Sequence, residues 1–290
     1  MTRRNNADRV GAPQPDAPNI PENLSSEQHA DPLSFVVPTE FITLPSQGQY
    51  YPEGHPLHNE EAVEIKFMTA KEEDLLTSKS LLERGIVLDR LIDSLLVNKR
   101  LQSRDLLVCD RNAILIQARS SGYGSDYTTQ IGCKQCTATD SYHYDLNSAV
   151  VEFPLEPAAL SEMLVEHIGH GLFRATIPMS NVEVTFRLLN GHDERRMTDN
   201  SERRKKKKQD DHLITDQLKL MLVSVMGHEE PDLISRFVES LPLRDSRFLR
   251  KLYETVTPSI ELRQEFVCAE CGHEDDIKFP FTTDFFWPDI

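Results

Sequence analysis

Long apolar runs are missing from this chain. No stretch of its 290 residues approaches the roughly 20 consecutive apolar side chains that cross a bilayer, so no membrane-spanning helix is expected. Its opening, MTRRNNADRV, has no apolar run behind the arginines, and no secretory leader is expected there. GxSxG, P-loop, GxGxxG and HExxH motifs are all absent, which removes the usual signatures of hydrolase, nucleotide-binding and zinc-protease chemistry. Positive charge is scarce: 32 Lys and Arg against 47 Asp and Glu leave a net charge of −15. A general nucleic-acid binder needs the opposite field to meet phosphate. Cysteine is sparse too. Five residues, an odd number without an export signal, do not make a disulfide framework and instead raise the question of metal.

What is present divides the chain. Seven of the 17 prolines fall in the first 45 positions, among Asn, Ser, Gln and Asp. Such a segment has too few apolar side chains to offset its ordering entropy, so residues 1–40 read as a disordered N-terminal tail, with order beginning near Phe35. Residues 41–56 read as extended chain with turns at Gly48 and Gly54. Val63, Ile65 and Phe67 alternate with charged residues as a short strand does. Thr69 and Glu72 have capping-box spacing, which predicts a helix from Ala70 to about Gly85. Leu88, Leu91, Ile92, Leu95 and Leu96 form the stripe of a second helix. A third is expected over 106–119, broken by Gly122 and Gly124. Further on, 156–168 read as a helix, 173–177 and 182–188 as a hairpin, and the stretch from Leu213 to Gly227 as another helix. Two more helices are expected after Pro231 and after Asp245. The class is α+β: a mainly helical core with short antiparallel strands.

Chemistry concentrates in two CxxC pairs, Cys133/Cys136 and Cys268/Cys271. Two intervening residues let a tight turn aim both sulfurs at one point, and two such turns supply the four thiolates of a structural zinc site. Gly272 follows the second pair, where a positive φ is often needed; Thr137 holds that place in the first. Strand-like sequence flanks each pair. The 131 residues between Cys136 and Cys268 exceed any finger loop, so the pattern is a split zinc ribbon with one structural zinc per chain. Its halves span about 127–147 and 263–287, and residues 148–262 form an α+β insert. Buried free thiols and a redox pair remain alternatives, as does replacement of one ligand by His143 or His273. Cys109, in an apolar helical run, reads as core.

Weaker candidates are Glu166, His167 and His170, two imidazoles about a helical turn apart, and the run Arg203, Arg204, Lys205, Lys206, Lys207 and Lys208. That run reverses the global acidity and suits an acidic protein surface, or nucleic acid, or merely a solvated helix face. Phe285, Phe286 and Trp287 read as a plug beside the knuckle, or as an exposed partner patch.

Several long blocks occur in order: IKFMTAKEEDLLTSKSLLERGIVLDRLIDSLLVNK, LPSQGQYYPEGHPL, DRNAILIQARSSGYGSDY with the first CxxC, LITDQLKLMLVSVMG, DSRFLRKLYETVTPSIELRQEFVCAECG and the terminal FFWP. Over about residues 41–290 the chain resembles the baseplate hub assembly family of T-even-like contractile-tailed bacteriophages. The resemblance implies a non-enzymatic morphogenesis protein with no catalytic residues, a structural component or assembly factor of the baseplate hub. It implies other hub and tail proteins as partners, the tape-measure protein among them, and a place in the host cytoplasm during assembly, followed either by retention in the virion baseplate or by release as a chaperone. Residues 41–290 would be one baseplate-type domain. The tail and the basic run would engage hub components. A zinc-ribbon nucleic-acid-binding or transcription-related protein is the alternative.

Overall fold

The structure, a computed structural model, describes residues 37–136, 138–278 and 283–286. The expected tail lies outside them up to residue 36.

Alternating side chains pair the strand Thr39–Thr43 antiparallel with Ala62–Lys66. The turn-rich segment between them is tied to the interior by Asp110. This carboxylate is fully buried and accepts from Ser46 N (3.0 Å), Ser46 Oγ (2.7 Å) and Tyr51 Oη (2.7 Å). Burial still pushes this carboxyl above its usual range, and the three donors counter only part of the cost of taking it out of water. Asp110 opens the long central helix Val108–Tyr123, whose remaining turns bury Ile114, Leu115 and Ala118.

The helix expected from Ala70 starts there, with Thr69 N donating to Glu72 Oε2 at 3.0 Å. It is not continuous to Gly85. Ser78 adopts an extended ψ of 106° and divides it into Ala70–Thr77 and Lys79–Glu83. The helix Val87–Leu95 buries Leu91, Ile92 and Leu95 as its stripe requires. The central helix does not break at Gly122. A Cβ there would lie 2.1 Å from Met68 Cε, so this glycine admits a neighbour, and the helix ends at Gly124, where φ is +90°.

Two further expectations change. The helix at Pro157–Glu162 is short, because Leu164 turns back at φ +57° and residues Val165–Gly169 become a strand. The helix Leu213–Met221 stops before Leu222–Val225, where Val223 and Val225 alternate with Leu222 and Ser224 and the chain is also a strand. Together with Leu172–Ile177 and Val182–Arg187 they make a four-stranded antiparallel meander. Phe173 and Phe186 stack at 5.5 Å between centroids and are fully buried. The core is therefore shared between sheet and helices rather than mainly helical.

The polar stretch after Leu189 forms the helix Gly191–Lys206, capped by Asn190, whose side chain accepts from His192 N and Asp193 N. Arg187 grips Asp193 through two 2.7 Å bonds. Helices Pro231–Ser240 and Leu243–Val256 complete the insert. The chain leaves it through Ser259–Glu261, which pairs with Val150–Glu152 near its entrance. The hairpins Asp126–Gly132/Thr139–Asp145 and Arg263–Val267/Glu274–Lys278 flank that neck in sequence. Phe285 and Phe286 are core residues. Arg119 Nε donates to Phe285 O at 3.1 Å, and Tyr127 packs on the Phe285 ring. Trp287 lies outside the described residues.

Glu72 gives a pH test. Burial opposes its charge, but Ser94 Oγ and Thr69 Oγ1, each at 2.5 Å, prevail and hold the carboxyl below its usual range. A carboxyl depressed in the folded state stabilises above its unfolded pKa, and that stability fades as pH falls through the folded value. Glu72→Gln should therefore lower the urea midpoint at neutral pH and flatten its decline below about pH 4, compared with the parent chain.

Candidate metal centre

Each CxxC pair occupies the tip of one hairpin. In the first tip Cys133 N donates to Ala138 O at 2.7 Å, and Gln135 N turns toward Cys133 Sγ at 3.4 Å. In the second, Cys268 N donates to His273 O and Gly272 N to Cys268 O, both at 2.9 Å. Gly272 takes φ +67° with open space where a Cβ would sit, so the backbone conformation, not crowding, calls for glycine. Thr137, its counterpart, lies outside the described residues.

The tips face each other. Cys133 Sγ is 3.7 Å from Cys271 Sγ, Cys136 Sγ is 3.6 Å from Cys268 Sγ, and all four sulfurs lie within 4.8 Å of one another. A disulfide would need about 2.05 Å. A tetrahedron with metal–sulfur bonds of about 2.3 Å has edges of about 3.8 Å, close to the two shortest separations. Cys133 and Cys268 are buried, and Cys136 and Cys271 face solvent.

Side chains behind the sulfurs fix this approach. Phe266 is buried against Cys133 and Cys268, with Tyr142 packed on its ring at 5.0 Å. Tyr142 Oη donates to Val267 O at 2.9 Å and accepts from Val267 N at 3.2 Å, joining the hairpins. Lys134 Nζ reaches Asp275 at 2.5 Å. None of these cross-hairpin contacts was predicted, because a local pattern does not say which residue of a distant hairpin lies opposite.

Each thiol feels the charge of its neighbours. Backbone N–H groups of Cys136 and Gln135 pull the Cys133 thiol down to about 6. Cys271 gains a backbone bond from His273, yet desolvation and the sulfurs of Cys136, Cys268 and Cys133 push its thiol up to about 12. One thiolate forms readily and further ones are opposed. A divalent cation removes that opposition by sharing the charge, and an all-sulfur set of this size suits a zinc-like ion and leaves no ligand position open.

The other candidates do not converge here. His143 bonds Thr128 at 2.9 Å on the flank of the first hairpin, and neither it nor His273 belongs to the four-sulfur group. Cys109 is core, with its sulfur beside Asp110. Glu166, His167 and His170 are not on a helix. Glu166 pairs with Arg174, His167 packs between Tyr50 and Phe173, and His170 occupies the next turn at φ +49°. In the basic run, Arg203 and Lys205 to Lys208 are exposed at the end of the helix Gly191–Lys206. Arg204 instead grips Asp216 with both guanidinium nitrogens, one at 2.9 Å.

Two hairpins joined by a four-thiol cluster are carried by a mixed helix-and-sheet body. The family model for the T4 bacteriophage base plate protein matches residues 38–287, and the chain belongs to that family. No curated protein and no solved structure matches it. Among the described residues no helix is long and apolar enough to cross a membrane.

Tyr142→Phe removes both bonds to Val267 and keeps the ring. It should cost about 1 kcal/mol and speed amide exchange at Val267, leaving exchange in the helix Val108–Tyr123 unchanged.

Proposed function

We propose that this chain is a non-enzymatic component or assembly factor of the central hub of a phage baseplate, closed by one structural zinc ion on Cys133, Cys136, Cys268 and Cys271. The convergence of these four sulfurs from sequence positions far apart carries the zinc assignment. Family membership supports the baseplate role, and the hub is the finer reading. Zinc bound there would supply thiolate charge balance and a cross-link between the hairpins. In this reading residues 41–290 act as one domain, with the ribbon built from about 127–147 and 263–287 around the insert 148–262. Partners are other hub and tail proteins, the tape-measure protein among them, met in the host cytoplasm and retained in the virion or released after assembly.

Arg203 and Lys205 to Lys208 present an exposed cationic helix end on a strongly acidic molecule. Such a patch speeds capture of an acidic partner surface and fixes its register more than it adds affinity. The same patch is the one feature favouring the alternative of a nucleic-acid-binding ribbon, which the net charge of −15 opposes.

Co-purification from phage-infected cells, with metal measured on the same sample, tests the reading. Other baseplate proteins should accompany the chain with about one zinc per chain. Nucleic acid without any phage structural protein would overturn it. Cys268→Ser should abolish zinc binding and unfold the hairpin pair; normal folding with normal metal content would refute the site. Replacing Lys205 to Lys208 by serine should preserve the circular dichroism spectrum and the zinc content. It should slow partner association about tenfold at low salt, an effect that fades as salt rises.

A further inference from the structure

The helix Gly191–Lys206 closes on a turn that glycine usually makes. Gln209 N donates to Arg204 O at 2.9 Å and Lys208 N to Lys205 O at 3.1 Å, and Lys208 takes φ +53°. A side chain in that left-handed position strains the backbone, which is why helices commonly end there on glycine. Lysine in its place adds a cation beside Arg203, Lys205, Lys206 and Lys207. All of these are exposed, and none is in an ion pair among the described residues, unlike their neighbours Arg195 and Arg204. Asp210 and Asp211 follow the run, and Asp211 already accepts from Ser201 Oγ at 2.9 Å, so the helix end stays cationic. Leu213 and Ile214, 51 % and 47 % exposed, come next along the chain.

The second hairpin carries the opposite charge on its outward face. In the register of Arg263–Val267 with Glu274–Lys278, Glu265 lies directly across from Asp276, and Val267 from Glu274. Pleating puts Phe266 and Asp275 on the other face, toward the first hairpin, where Phe266 is buried and Asp275 meets Lys134. Glu265, Glu274 and Asp276 are exposed, and none is in an ion pair among the described residues; Arg263, on the same face, is held by Glu261 and Glu152. Like charges directly opposite on a sheet repel, so this face is loaded against itself. Val267, 53 % exposed, stands among the carboxylates. Each surface thus carries a local cost, a left-handed lysine on one and facing carboxylates on the other, that no contact within the described residues repays.

We propose that the acidic face of the second hairpin docks on the cationic end of Gly191–Lys206 in a second copy of this chain. The neighbour's cations relieve the repulsion between Glu265 and Asp276, and Val267 offers apolar area to the exposed Leu213 and Ile214. The two patches differ, so the contact is heterologous: each docked copy keeps one patch of each kind free, and further copies extend the assembly into a ring or a chain. The inference rests on the reading of that helix end as the seat of an acidic surface, and it names the surface.

Sedimentation of the full-length protein at about 0.15 M salt tests it, because there the repulsion from a net charge of −15 is screened beyond about 8 Å while groups in contact are not. The sedimentation coefficient should rise with protein concentration past that of a dimer, and return to the single-chain value at about 1 M salt. Glu265→Gln with Asp276→Asn should keep or raise the thermal midpoint and abolish the association. Lys208→Gly should raise the midpoint and weaken the association about fivefold. Lys205→Glu with Lys207→Glu, and separately Glu265→Lys with Asp276→Lys, should each give a chain that stays single with an unchanged circular dichroism spectrum. Mixed, these two reversed chains should associate again. A parent chain whose sedimentation is constant up to millimolar concentration would overturn the proposal, as would a reversed chain that associates like the parent or reversed chains that stay apart on mixing. A parent chain that stays single, yet captures baseplate proteins only with Lys205 to Lys208 intact, overturns the second copy and leaves the acidic-partner reading standing. Self-association that serine at those positions abolishes, with baseplate capture unchanged, supports the second copy and removes the other partner from that site.

Discussion

Two hairpin tips must find each other across 131 intervening residues. Closing a loop of that length costs about 4 kcal/mol of chain entropy, and the four sulfurs cannot offset it alone, because their accumulating charge opposes the approach. The closure is spread over the contacts behind the tips. Val150–Glu152 pairs with Ser259–Glu261 at the neck, Tyr142 bridges to Val267, and Phe266 seals the space under Cys133 and Cys268. The folded insert holds its own ends near one another, so the chain between the cysteines acts as a preformed span and not as a free loop. A metal held only by this folded frame would add its binding free energy to the folded state.

The central helix Val108–Tyr123 plays a matching part inside the body. Three buried charges on it address three different segments. Asp110 holds the turn-rich segment after the first strand. Arg111 donates to Asp89 at 2.8 Å, to Glu194 at 2.9 Å and to Ser103 O at 2.6 Å. Arg119 holds the carbonyls of Phe285 and Gly124. Gly191 belongs to the same arrangement, since a Cβ there would stand 2.6 Å from Arg111 Nη1 and 2.8 Å from Ser103 O. Buried charges of this kind add little net stability, but removing one partner strands the other at a cost of about 3–5 kcal/mol. They fix which elements meet, and they tie the C-terminal Phe285 and Phe286 to the same helix that anchors the N-terminal turns.

The sequence made the cysteine site legible because its information is local: a two-residue spacing, a glycine and flanking alternation fit within a few positions of each pair. The capping box at Thr69 and the stripe on Val87–Leu95 were readable for the same reason. Residues 156–168 and 222–225 were misread because short apolar runs satisfy helix and strand periods alike, and the decision there came from sheet partners such as Phe173 and Phe186. Gly122 was misread as a helix breaker because only the folded chain brings Met68 against it. The partners of Asp110, Arg111 and Arg119 lie up to 166 positions away, beyond any periodicity. Arg204 looked equivalent to its basic neighbours until Asp216 appeared opposite it.

These features divide the molecule's labour. The cysteine cluster and the charges on the central helix spend their polar groups inward, and a four-thiolate set keeps no ligand position for chemistry. His167 packs between Tyr50 and Phe173 on the strand Val165–Gly169. The groups left facing outward, the cationic end of Gly191–Lys206 and the acidic face of the second hairpin, belong to elements whose positions the interior fixes. A protein that works by being incorporated needs surfaces held at set separations more than it needs a reactive centre. In this chain the interior charges and the hairpin clasp fix the elements that carry its outward-facing groups.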